Sequence, residues 1–128
     1  MKHQKIIFKL VLLFFVICNV KSVSSQEEGL INKTKSQIKL TETKQLYLQG
    51  NIKTALLNYK EIIALNPSIP KAHFGISRCY YKLHDYKKAK YHAEIAEKNN
   101  PKVDEDLYYL LGEIYFRLEK LKKSKTSY

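Results

Sequence analysis

The 128-residue sequence predicts an all-α fold made of repeated helical hairpins. Three observations carry this. First, "YLQGNIKTALLNYKEIIALNP" (Tyr47 to Pro67) aligns without a gap on "YKLHDYKKAKYHAEIAEKNNP" (Tyr81 to Pro101). Tyr47, Lys53, Ala55, Asn66 and Pro67 then fall on Tyr81, Lys87, Ala89, Asn100 and Pro101, a period of 34 residues. Second, each unit reads as a helix, a tight polar turn and a second helix, with apolar residues at helical spacing. Third, each unit closes on Asn-Pro, where proline lacks the amide hydrogen and clashes with the preceding turn.

The elements follow in order. Lys2, His3 and Lys5 form a basic start, "LVLLFFVIC" (Leu10 to Cys18) is an unbroken apolar run, and "NVKSVSSQEE" turns polar. That is the layout of a secretory signal peptide over residues 1–25, with Val23 and Ser25 at the positions signal peptidase reads and Gln26 as the new terminus. The alternative is an uncleaved anchor. The run between Lys9 and Lys21 is shorter than the ~20 apolar residues a spanning helix needs, which favours cleavage. Ile17 before Cys18 is too bulky for a lipidation signal. Residues 26–35 are expected to be a linker or an irregular segment, with "NKT" at Asn32 fitting a glycosylation sequon.

The repeat domain spans residues 36–128, in units of about 36–69, 70–104 and a truncated 105–128. Asn51 and Asp85 stand at the turns, where short polar side chains cap helices, and Pro70 suits a first helical turn. Asp104 is placed to cap the third unit, with Glu105 and Asp106 at the positive end of the helix dipole. Gly112, Tyr115, Leu118 and Leu121 align with Ser77, Tyr80, Leu83 and Tyr86 at an offset of 35. A charged turn is therefore expected at Glu119 and Lys120. "LKKSKTSY" then begins another helix, with Ser124 at its small site and Tyr128 at its aromatic site.

In the middle unit Ser77, Tyr80, Ala89, Ala96 and Pro101, with Asp85-Tyr86 at the turn, resemble the tetratricopeptide repeat. The first unit keeps Ala55, Tyr59, Ile62 and Pro67, but has Glu42 at an aliphatic site and Thr43 at the small one. The resemblance implies a short right-handed superhelix of two full repeats and one partial. Small residues let paired helices approach, and aromatics fill the gaps. Roughly three repeats are needed for stability, and a polar capping helix normally follows the last. The exposed edge here is expected to be covered by a further domain, a partner or another copy, the alternative being that a short last helix simply frays.

Chemistry is sparse. His73, His84 and His92 are scattered, and no HExxH pair, paired cysteines or glycine-rich phosphate loop occurs. The expectation is a protein that is not an enzyme, with no metal and no cofactor. After cleavage Cys79 stands alone, so no intramolecular disulfide forms, and a lone Cys in an amphipathic helix reads as a small buried hydrophobe. The formal net charge is +11; losing Lys2, Lys5, Lys9 and Lys21 leaves 19 basic against 12 acidic residues, or +7. For an exported chain that balance points to anionic lipid, acidic polymer or an acidic protein surface rather than nucleic acid, though solvated helix faces account for many of the lysines.

By the family's pattern, first helices line a concave groove. The resemblance implies Lys71, Phe74, Arg78, Tyr81 and Lys82 from the middle repeat, and Asp106, Tyr109, Glu113, Phe116 and Arg117 from the third. Lys44, Tyr47 and Leu48 come from the first. Aromatics beside cations suit a peptide partner; packing between helices remains the alternative for Tyr81 and Tyr109. The family's carboxylate clamp for chaperone tails is missing, because Leu40, Lys44 and Gly75 occupy its positions. Signal peptide and repeats together resemble the front of bacterial envelope proteins in which such repeats precede a β-propeller and a peptidoglycan-binding domain like that of outer membrane protein A. The expected function is a periplasmic or outer-membrane-associated scaffold that binds a protein or peptide in the groove. The alternative is a basic module, peripheral to the membrane, holding anionic envelope polymer or lipid through Lys120, Lys122, Lys123 and Lys125.

Overall fold

The computed structural model describes residues 2–127; the side chains of residues 21–23 lie outside that description. Tyr128 and the Val23 side chain, both used in the sequence argument, therefore fall outside it. The described residues form five α-helices and no strand: α1 (Lys2–Leu48), α2 (Ile52–Leu65), α3 (Pro70–Lys82), α4 (Tyr86–Asn99) and α5 (Leu107–Thr126). The all-helical class is as expected. So is the spacing, since α1 and α3 end 34 residues apart and α2 and α4 begin 34 apart.

The chain divides into residues 1–37 and 38–128. In the first unit an exposed helix carries an apolar stretch long enough to cross a membrane, a composition it shares with signal sequences. Residues 26–35, expected as a linker or irregular segment, are helical and exposed. They contain no proline and several good helix formers.

The second unit holds the core. Leu40, Ala55, Leu56, Tyr59, Ile62, Ala72, Phe74, Ile76, Cys79, Tyr80, Ala89, Ala93, Ala96, Leu107, Leu110, Leu111 and Ile114 form one buried cluster. It draws on the C-terminal part of α1 and on every later helix. α3 sits centrally, packing on α2, α4 and α5. Of the three residues expected at helix crossings, Thr43 and Ser77 are fully buried and Gly112 is exposed. Ser77 Oγ donates 2.7 Å to the Ala89 carbonyl of α4. The three alanines of α4 are also fully buried, so helices meet there over bare Cβ atoms.

Turn chemistry explains where helices stop. Gly50 (φ 86°) and His84 (φ 62°) occupy the left-handed region between the helices of each hairpin. Asp85 accepts a hydrogen bond from the Lys88 amide, while Asn51 makes no side-chain cap. Asn66 and Asn100 each fold a side-chain carbonyl over the proline that follows, accepting from the Ser68 and Lys102 amides at 3.3 and 3.0 Å.

Two expectations for the third unit are corrected. Asp104 accepts from the Asp106 amide in a turn of its own, and α5 begins only at Leu107. The turn expected at Glu119 and Lys120 is not formed: α5 runs on as one helix to Thr126. The first two hairpins put glycine or histidine in the left-handed position. Glu119 stands there in the third, a strong helix former for which that conformation is costly, and it pairs with Lys123 one turn later at 3.2 Å.

Candidate functional site

The residues expected to line a groove lie on α1, α3 and α5, apart from Asp106, which precedes α5, and the structure draws some of them into two clusters. In the first, the Arg78 guanidinium lies 4.4 Å from the Tyr47 ring centre and 5.5 Å from that of Phe74. The contact joins α1 to α3 and holds a half-buried cation by its flat faces, where stacked arginine is favourable. Among the described residues Arg78 makes no ion pair. Its edge-on donors are left for an acceptor. Phe74 is itself buried, so it supports Arg78 from below and does not face a ligand.

The second cluster joins α3 to α5. Tyr81 donates 3.1 Å to a Glu113 carboxylate oxygen and meets Tyr86 edge-on. Burial first, then the Glu113 carboxylate, raises the Tyr81 hydroxyl above its ordinary pKa, with Arg117 pulling the other way. Tyr81 is thus half-buried between helices, a packing role and a surface role together. Lys71, Lys82 and Arg117 are exposed cations on the same faces, and Tyr109 and Phe116 are exposed rings at 74% and 60%. Neither ring takes part in the core cluster.

The basic cluster is less coherent than its sequence implies. On a continuous helix Lys122 and Lys125 share one face, and Lys120 and Lys123 lie on another. Lys123 is tied to Glu119, while Lys122 and Lys125 face a cleft beside the α3–α4 turn. That cleft was not legible in the sequence, because it exists only when α5 continues past Lys120.

Cys79 and His73 are buried in the core, and His92 is half-buried beside them. Cys79 is fully buried and its thiol is pushed up to about 12, by burial first and against the pull of Arg78. At neutral pH it is a thiol and a weak nucleophile. His73 donates from Nε2 to the Pro67 carbonyl at 2.7 Å, and its Nδ1 stands 3.0 Å from His92 Nδ1. In the neutral pair the proton between them belongs to His92. Among the described residues no group of three or more His, Cys, Asp or Glu is placed to hold a metal ion.

The face offers a stacked cation, exposed rings and further cations, an arrangement suited to contact with a partner. Compared with known families and curated proteins, the chain matches no family model and no curated protein.

Proposed function

We propose that the chain is a non-enzymatic scaffold of the bacterial cell envelope, built from tetratricopeptide repeats in a short right-handed superhelix. It binds a protein or peptide partner across the face formed by α1, α3 and α5. The observation that carries this reading is Arg78: a cation held between two rings, half-buried and without an ion-pair partner among the described residues. Ordering it in advance lowers the entropy lost on binding a carboxylate or carbonyl. Lys71, Lys82, Tyr109, Phe116 and Arg117 extend the contact, and Tyr81 with Glu113 fixes α5 against α3. Export, on this reading, is directed by the apolar start of α1.

Replacing Arg78 and Lys82 by Glu tests the reading. Capture of envelope proteins by the variant should fall at least about tenfold, as loss of a central arginine anchor does, while helicity measured by circular dichroism stays unchanged. Equal capture by the two proteins would remove the face from consideration.

A further inference from the structure

A second surface adjoins the Tyr81 cluster through Tyr86 and contains none of the residues of the proposed partner face. A cleft of about 540 Å³ opens between the α3–α4 turn and the distal half of α5. Its floor is apolar, from Leu83, Leu118 and Leu121, and its rim carries Lys87, Lys122 and Lys125. None of these three lysines makes an ion pair among the described residues. Among the described residues Asp85 is the one carboxylate lining it, and that group is occupied, accepting from the Lys88 amide and pairing with the Lys88 ammonium at 3.3 Å. Among the described residues, then, the cleft is an apolar trough whose three lysines have no ion-pair partner.

We infer that this cleft docks an acidic amphipathic helix of a partner protein. The shape argues for a helix: Leu118, Leu121, Lys122 and Lys125 form one stripe along α5, and a stripe at that spacing is best matched by a second helix lying beside it. The charge argues for acid: carboxylates one turn apart on the incoming helix meet Lys122 and Lys125, while its leucine-like residues cover Leu83 and Leu121. A second copy of this chain is a poor occupant, because it brings the same lysines and a formal net charge of +11. The cleft contains none of the residues assigned to the face around Arg78, although its Tyr86 packs on Tyr81, and different variants test the two readings.

The test uses the full chain in a non-ionic detergent and a fluorescein-labelled helical peptide with Glu and Leu repeated one turn apart. Fluorescence anisotropy should show binding that Lys122→Glu with Lys125→Glu weakens at least about tenfold, the size expected for reversing two contact charges. Lys102→Glu with Lys120→Glu makes the same change in net charge outside the cleft and should alter affinity less than about threefold. Arg78→Glu with Lys82→Glu should leave peptide binding in place. Three results would overturn the inference: equal losses from the two lysine pairs, undiminished binding of a peptide with every Glu replaced by Lys, or no peptide binding alongside attachment to phosphatidylcholine–phosphatidylglycerol vesicles that depends on Lys122 and Lys125.

Discussion

Two glycines at helix interiors show how differently one residue type can be used. A Cβ built on Gly75 would lie 2.3 to 2.6 Å from three ring atoms of Tyr59, whereas one built on Gly112 meets nothing within 4 Å. Tyr59 is only 5% exposed, so its rigid ring has no room to swing aside. Its hydroxyl is pushed up to about 12, chiefly by that burial. Gly75→Ala should therefore lose about 1–2 kcal/mol net, the overpacking cost exceeding the helix-propensity gain. Gly112→Ala should gain about 0.5–1 kcal/mol from propensity alone. Urea unfolding of the two variants checks the pair, and the same sign for both would contradict the packing described. Only part of this was legible in sequence. Gly112 aligns with Ser77 and was expected at a helix crossing; the open space beside it follows from the turn that α5 does not make.

At the scale of elements, the Asn-Pro stops after α2 and α4 stand where expected and Asp85 caps α4, whereas the caps expected of Asn51 and Asp104 do not form. Asn-Pro stops and left-handed turn residues recur at a fixed 34-residue interval, so α2, α3 and α4 could be placed from residues alone. The third hairpin was inferred by register, and register says nothing about cost: Glu119 and Lys120 carry no turn preference, and an ion pair to Lys123 favours continuing. The candidate face was half legible for a related reason. Alignment put Arg78 and Tyr81 together on one helix, but the stacking of Arg78 on Tyr47 depends on α1 and α3 meeting, which no local pattern reports. The continuity of α5 is directly measurable. With Cys18→Ser, spin labels at Tyr108→Cys and Ser124→Cys should lie about 24 Å apart along a straight helix at 1.5 Å per residue. A hairpin folded at Lys120 would bring them to about 15 Å or less, given the 8–10 Å spacing of packed helices.

At the scale of the whole molecule, charge and burial set how stability responds to acid. With 23 basic against 12 acidic residues, protonating carboxylates can only deepen an existing excess of positive charge, an effect concentrated below about pH 4.5. His92 acts earlier. Burial first, then His73 and Lys60, lowers its pKa to about 4. It faces His73 and Tyr80 from α3, Lys60 from α2 and its neighbour Tyr91, with no carboxylate among these to favour the charged ring. In the unfolded chain the same group titrates near its ordinary value of about 6.5. Between those pH values the unfolded state binds the extra proton, so stability is complete above about pH 6.5 and is lost as pH falls toward 4. Discounted for the ring's partial exposure, the loss should be about 1–2 kcal/mol. Urea midpoints at pH 7.5 and 4.8 measure it, because most carboxylates remain ionised across that interval. His92→Gln keeps a donor for His73 Nδ1 and removes the titration, so its stability should change far less between the two conditions. If the variant lost as much as the natural chain, the acid sensitivity would belong to the general charge balance and not to the pair of histidines between α3 and α4.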